Sequence, residues 1–512
     1  MTPGHTQGLG SRSISAFLWG GGGAFLRLFM QTAAQIVLAR LLGPEQYGLF
    51  AISVIVMSFS AFFSDIGMAY GLIQRQQLDS SHIRFVFGWQ LVLGVLVASA
   101  LVLLASPLAE FFREPRLHAI LLALAPLAFL QALSAVSLNL LKRELNFKAL
   151  QIGQTLGYFV GYIGLGIPLA LNGWGVWSLV MAWAAQSVVT FVLLYRAARH
   201  PLRPLWRHPD AGSMGRFGGM VLLTNMTNWF IGNVDRTVVA RTLDSASIGL
   251  YANAYNLVNT PSGTLLSFMQ PVLYSACARV QDDPQRIRKA YLLLMAGIAL
   301  TAMPVFFAMS AVANTLVLAL YGAPWAQAAA VLQPLALAMP LSLLWGIATP
   351  VLWNTGRVGT EFKMQLPLVC LWLAGAWLAA QVSLAALAWT VLGLFALRTL
   401  VFTWLAMRQI GVRWLDCALA LRGGVVLAAC VALAGWACDR ALADGLPAHA
   451  ARLVLVMVAC ALTALAAVRV LPRLFTPDLA ALAQTGLNRL PGRVARAARW
   501  WLAPQMGAAH GR

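Results

Sequence analysis

Charge is what this 512-residue chain has least of. Only 10% of its residues are Asp, Glu, Lys or Arg, against 60% hydrophobic, and that balance excludes a water-soluble globular protein. Cysteine is sparse and scattered, at Cys277, Cys370, Cys417, Cys430, Cys438 and Cys460, with no Cys-x-x-Cys pair. Neither a disulfide nor a metal site is expected from it. Histidine is missing from the interiors of the apolar runs. No GxxxxGK[ST] phosphate loop is present, so the chain does not power itself by hydrolysing ATP. The HExxH and GxSxG signatures are missing too, and no cofactor is implied. The Gly20 to Gly23 run lies inside the first apolar stretch. There it loosens a helix or lets it pack closely, and it does not resemble a phosphate loop. That first stretch is too long for a cleavable signal peptide and is expected to stay in the mature protein.

What is present is a series of long apolar runs. Inside a bilayer every backbone polar group must be satisfied within the protein, so runs of about 20 apolar residues mean helices. Barrel strands would be about 10 residues long with alternating polarity. The sequence predicts an all-α polytopic membrane protein with about 14 transmembrane helices. They cover residues 13–42, 48–72, 86–107, 117–141, 151–171, 174–194, 217–243, 250–274, 290–309, 326–354, 362–381, 382–407, 423–438 and 452–471. The predicted organisation is a cytoplasmic N-terminus (1–12), an N-lobe (13–195), a basic cytoplasmic linker (196–216), a C-lobe (217–408), an accessory helix pair (423–471) and a basic cytoplasmic tail (472–512).

The net charge of +20 raises the question of a nucleic-acid partner, and the placement of the cations answers it. Most of the 36 Lys and Arg residues fall on the side holding both termini and the even-to-odd connections. That asymmetry is the positive-inside rule, which makes both termini cytoplasmic and leaves no nucleic acid to invoke. The densest run, Arg196, Arg199, Arg203, Arg207 and Arg216, reads as a topology signal that also meets anionic lipid headgroups. Arg489, Arg493, Arg496 and Arg499 with Trp500 and Trp501 read as a basic interfacial helix.

The stretch "LARLLGPEQYGLFA", Leu38 to Ala51, returns about 200 positions later as "VARTLDSASIGLYA", Val239 to Ala252. Ala39, Arg40, Leu42, Gly48, Leu49 and Ala51 align with identical residues at Ala240, Arg241, Leu243, Gly249, Leu250 and Ala252, and Phe50 meets Tyr251. A weaker echo pairs Asn146 to Lys148 with Glu361 to Lys363. A repeat of six helices returns to the same side of the membrane, so the two lobes are parallel, and transporters built this way hold substrate between the halves. Locally the knuckle is a turn, broken by Gly43 and Pro44. Arg40 and Arg241 end their spans on the outer face, where they satisfy a helix C-terminus or bind phosphate.

Away from the span ends, the charges inside spans are Arg27, Asp65, Asp235, Arg236 and Arg398, and intramembrane charge usually marks a pathway. Arg27, Gln31 and Gln35 share one helix face; Asn225, Asn228, Gly232 and Asp235 share another; Asn253, Asn256, Thr260, Gly263, Ser267 and Gln270 a third. Such stripes face a cavity or a helix partner, and interhelical hydrogen bonds account for their amides. The arginines need more: either a structural pairing of Asp235 with Arg27 or Arg236, or a cavity for an anionic headgroup, which guanidinium groups grip bidentately. Arg398 joins that cavity or snorkels toward the interface. Asp65 caps or pairs locally, or couples an ion.

"LARLLGPEQYGLFA", the Asp65-Ile66-Gly67 triplet, "GLIQR" at Gly71 to Arg75, "LLKRELNFKAL" at Leu140 to Leu150, "GWGVWSLV" at Gly173 to Val180, "DRTVVARTLDSASIGLYANAYNLVNTP" at Asp235 to Pro261 and "ARVQDDPQRIRKAY" at Ala278 to Tyr291 together resemble the Wzx-type polysaccharide flippases, especially their colanic-acid-like branch. The resemblance spans residues 13–363; Tyr274-Ser275-Ala276 stands where the family pattern has a Phe-Pro pair. It implies a multidrug and toxin extrusion-like fold in the bacterial inner membrane, with two six-helix lobes plus two C-terminal helices. It further implies an undecaprenyl-diphosphate-linked oligosaccharide as cargo, and a polysaccharide polymerase and assembly proteins as partners. On that reading Arg27 and Arg236 hold the diphosphate, and Gln31 and Arg398 are further substrate-binding residues. Asn225, Asn228, Asn253 and Asn256 contact sugar hydroxyls, and Asp65 and Asp235 serve as counter-charge or ion-coupling groups. The alternative is a cation-coupled multidrug exporter of the same fold, against which a cationic cavity argues. A third reading is a membrane scaffold for a polymerase complex, which leaves the stripes and the repeat no purpose beyond packing.

Overall fold

A computed structural model of the chain describes residues 5–65, 72, 78–209, 211–279, 284–354, 358–443, 445, 448–471 and 474–487. The described elements are helical. Helix α1, His5–Asp65, is two arms joined at Gly43, whose φ of 73° and ψ of 173° interrupt the helix. Glycine accepts that conformation without strain, and Pro44 starts the second arm, where its missing N–H costs nothing. The predicted first and second spans are these two arms.

Next come α2 (Ser80–Phe111) and α3 (Arg116–Arg143). The predicted fifth span is composite: α4 (Phe147–Tyr158), a π-helical stretch from Phe159 to Gly166, and α5 (Ile167–Leu171). The π stretch was not legible from hydropathy; such wide turns are rare and concentrate at functional sites. Gly161 sits in it against the Ala182 carbonyl of α6 (Val176–Ala198), where a Cβ would collide. Helices α7 (Ala211–Thr242) and α8 (Ser245–Arg279) follow. The Asp244 carboxylate caps α8, accepting from the Ser247 N–H at 2.9 Å. The repeat thus breaks its helix by a glycine kink in one copy and an acidic cap in the other.

The remaining helices are α9 (Pro284–Ala311), α10 (Ala313–Tyr321), α11 (Ala328–Asn354), α12 (Val358–Ala380), α13 (Leu384–Ile410), α14 (Trp414–Ala441), α15 (His449–Val470) and α16 (Pro477–Leu487). Helix α10 and the short turn Ala323–Trp325 fill what was expected to be a loop, and Trp325 is fully buried. Among the described residues 11 helical segments are long and apolar enough to cross a membrane, with both arms of α1 counted as one. Helices α7 and α8, of 32 and 35 residues, are long enough as well. The basic tail from Arg489 to Trp501 and the side chains of Asp65, Asn225, Asn228 and Cys277 lie outside what the structure describes.

Packing divides the chain into two compact units, Met1–Ala252 and Asn253–Arg512. In the first, α3 lies against α2 and α6, and α1 runs along α3, α4 and α7. The two copies of the knuckle meet there reciprocally. A Cβ on Gly48 would strike the Ser245 carbonyl oxygen, and a Cβ on Gly249 would strike that of Pro44. Gly48 and Gly249 are repeat equivalents, as are Pro44 and Ser245, so the contact is the mutual kind a two-fold axis produces. Beside it the Arg116 guanidinium bridges Glu45 and Glu114, both at 2.8 Å; the hydrogen bond from Arg116 holds the Glu114 carboxyl below the usual range.

The basic linker is docked rather than free. The Leu205 N–H donates to the Arg84 carbonyl at 3.1 Å, and Arg84 Nε donates to the Arg203 carbonyl at 3.0 Å. His200 is buried against Phe87 and Tyr195 with Nε2 3.1 Å from the Ser137 hydroxyl, and burial pushes its imidazole below the ordinary histidine value. In the second unit α14 packs on α9 and α15, α11 on α13 and α9. Asp439 closes the α14–α15 hairpin by accepting from Arg452 and Thr315, each at 2.7 Å.

Candidate functional site

The in-span polar residues fall into clusters, each built within one unit. On α1, Arg27 is half-buried and donates to the Gln154 side-chain carbonyl of α4. One turn along, the Gln31 backbone carbonyl accepts from the Tyr158 hydroxyl at 3.4 Å. Tyr158 stacks on Tyr162 with ring centroids 4.6 Å apart and planes 14° from parallel, and Tyr47 lies within electrostatic reach of both. The result is a guanidinium, the Gln154 amide, the Gln31 backbone carbonyl and a tyrosine platform, set where a helix passes into a π turn. Sequence reasoning found Arg27 and Gln31 and missed Gln154, Tyr158 and Tyr162. An i, i+4 tyrosine pair beside glycines at 157, 161, 164 and 166 was the available signal.

A second cluster surrounds Asp235 on α7. Its side chain is 2% exposed, and Oδ2 accepts from the Tyr251 hydroxyl at 2.6 Å. Arg236 turns back on its own helix, with Nη2 donating to the Gly232 carbonyl at 2.8 Å. In the first repeat copy the equivalents of Asp235 and Tyr251 are Ala34 and Phe50, and Phe50 packs edge-on against Trp183. The second copy therefore adds a buried carboxyl and a phenol together. A turn further back Trp229 Nε1 donates to the Ser58 hydroxyl at 2.9 Å, and its ring packs against Phe59.

The third cluster belongs to the second unit. Arg398 is 4% exposed and does not snorkel. Its guanidinium lies over the Trp345 ring, 3.6 Å from the centroid, with Phe402 at 6.0 Å. Glu361 and Tyr255 lie within electrostatic reach of it. Glu361 is 5% exposed and accepts from Gln365 Nε2 at 3.2 Å and the Thr349 hydroxyl at 3.3 Å. Glu361 lies one residue outside the predicted span 362–381, whereas α12 begins at Val358. Of the remaining candidates, Asn253 is fully buried and Asn256 half-buried on α8.

Chemically, each cluster couples a cation or a carboxyl to aromatic surface in a low-dielectric setting. Guanidinium groups suit phosphate oxygens, and tyrosine and tryptophan faces offer apolar area with a polar handle.

A protein-family model described as "Polysaccharide biosynthesis protein" matches residues 37–330. Succinoglycan biosynthesis transport protein ExoT of Rhizobium meliloti is 27% identical over 314 residues, 61% of this chain and 62% of that protein, so the chain spans about three-fifths of that relative's length. Lipopolysaccharide biosynthesis protein WzxC of Escherichia coli is 25% identical over 370 residues, 70% of this chain and 73% of that one. Among solved structures, lipid II flippase MurJ in an inward closed conformation superposes with a TM-score of 0.69 at 10% identity, covering 87% of this chain and 97% of MurJ. An inward-facing multidrug resistance transporter of the MATE family gives 0.61 at 16% identity, over 75% of this chain and 94% of that one. The fold is therefore the all-α polytopic one of MurJ and the MATE transporters, and the chain belongs to the polysaccharide biosynthesis protein family.

Proposed function

We propose that the protein is a flippase of the Wzx type. It carries undecaprenyl-diphosphate-linked oligosaccharide repeat units from the cytoplasmic to the periplasmic leaflet of the bacterial inner membrane, for assembly of a surface or exported polysaccharide. Both termini are cytoplasmic. The observation that carries the reading is the presence of arginines inside bilayer-length helices of a chain in this family. Arg27 sits beside a tyrosine stack, and Arg398 lies on a tryptophan face. Membrane-embedded cations are costly, and a diphosphate headgroup is the ligand that uses them. Tyrosine rings beside Arg27 suit the apolar faces of sugars, and the amides Gln154, Asn253 and Asn256 suit their hydroxyls.

In this mechanism the diphosphate and glycan ride in a polar cavity while the polyprenyl tail stays in lipid, and rocking of the two lobes exposes the headgroup outside. Asp235, held by Tyr251, tunes the neighbouring Arg236 or exchanges a proton. The roles that the relatives' names give them in succinoglycan and lipopolysaccharide biosynthesis support this reading over drug export, although the MATE fold is shared.

The test is lipid-linked oligosaccharide reaching the outer leaflet of reconstituted vesicles. Arg27→Ala should lower protein-dependent flux by about 10- to 100-fold, the loss of one charge-assisted contact, at normal membrane insertion. Arg27→Lys should recover only part. Wild-type flux from Arg27→Ala would remove Arg27 from the site, and no flux from the wild type with its cognate glycan would remove the function.

A further inference from the structure

Within the first unit α2 and α7 both pack on α1, and an apolar groove of about 430 Å³ lies among the three. Phe59 and Phe63 of α1, Leu101, Leu104 and Phe111 of α2 and Thr237 of α7 line it. Phe63, Leu104 and Phe111 are exposed, so the groove opens sideways, toward bilayer hydrocarbon. Along α2 the lining runs from Val97 to Phe112, about 22 Å at 1.5 Å per residue. That length exceeds one leaflet and stops short of the whole hydrocarbon core of about 30 Å.

One end of the groove is charged. Arg241 lies one helical turn beyond Thr237, on the same face of α7, and its guanidinium sits 5.3 Å over the Phe111 ring that closes the groove. Its Nη1 is buried and has no hydrogen-bond acceptor among the described residues. A buried cationic N–H without an acceptor is costly, and a phosphate oxygen is the acceptor that best relieves it.

We propose that this groove is a binding site for one anionic phospholipid, with an acyl chain along α2 and the phosphate on Arg241. The groove is far shorter than a polyprenyl tail, which argues for a leaflet phospholipid over the lipid carrier. The site is separate from the Arg27 cluster and requires no transport, so its failure and that of the flippase reading are distinguishable.

The experiment is native mass spectrometry of the delipidated full-length protein, mixed with equal amounts of phosphatidylglycerol and phosphatidylethanolamine. The wild type should retain phosphatidylglycerol about tenfold better, the size of one charge-assisted contact. Arg241→Gln should abolish that preference and Arg241→Lys should largely keep it. Ala100→Trp, which fills the groove from α2 and leaves Arg241 intact, should reduce retention of both lipids. Equal retention of the two lipids by the wild type, a preference that survives Arg241→Gln, or undiminished retention in Ala100→Trp, would overturn the site. Displacement of phosphatidylglycerol by equimolar undecaprenyl phosphate would reassign the groove to the carrier and overturn the phospholipid proposal.

Discussion

Arg398 poses the sharpest question at the scale of one residue, because a guanidinium buried on a tryptophan face must be compensated. Trp345 contributes a cation–π contact, worth about 2 kcal/mol or more when desolvated, and Glu361 contributes opposite charge. Removing only one partner leaves the other charge stranded, at a cost of about 3–5 kcal/mol. Arg398→Met should therefore lower the thermal midpoint of the detergent-solubilised protein markedly. Arg398→Met combined with Glu361→Gln should regain most of that loss while export of glycan stays abolished. Additive losses in the double variant would show that the two residues do not compensate each other. Composition made Arg398 visible as a charge in an apolar run. Trp345 and Glu361 were not visible, because partners on other helices are set by tertiary packing and a one-residue error in a span boundary hides a carboxylate. Tyr251 was visible only through the repeat, as the place where a phenol replaces Phe50.

At the scale of elements, the two knuckles were legible as turns and as repeat equivalents, but not as each other's contact. Reciprocal collisions of a Cβ at Gly48 with Ser245 and at Gly249 with Pro44 mean that both positions are held to glycine by backbone approaching backbone. Neither obstacle is a flexible side chain that could move aside. Gly48→Leu and Gly249→Leu should each destabilise by about 1–3 kcal/mol, the usual cost of overpacking, read as thermal midpoint. Because they press on one joint, the double substitution should cost clearly less than the sum; strict additivity would mean that the joint does not act as a unit. Gly43, which has open space around its missing Cβ, is kept by its positive φ instead, so the two glycines of one motif answer to different constraints. The π stretch in the fifth span and the docking of the linker on α2 had no hydropathic signature. Both depend on which neighbour a helix meets, and period and composition do not carry that.

For the whole molecule, the repeat and the packing divide the chain at different places. The repeat restarts with α7, whereas the compact units separate between Ala252 and Asn253. The knuckle joint explains the difference: α7 and the first turns of α8 are tied to α1 through Gly48, Gly249 and the Trp229–Ser58 hydrogen bond, so packing assigns them to the unit of their counterpart. Orientation across the bilayer rests on the placement of Lys and Arg alone, and it makes a prediction that packing cannot supply. The turn at Asn172, between α5 and α6, should face the periplasm, and the linker at Arg207 the cytoplasm. In a variant with the six native cysteines replaced, Asn172→Cys should react with a membrane-impermeant maleimide in cells whose outer membrane alone is permeable. Arg207→Cys should react only after the inner membrane is opened. Both positions are exposed, so a lack of labelling at either would report sidedness rather than burial. The reverse pattern would invert the topology, turning the basic linker outward and placing the Arg241 end of the lipid groove on the cytoplasmic side.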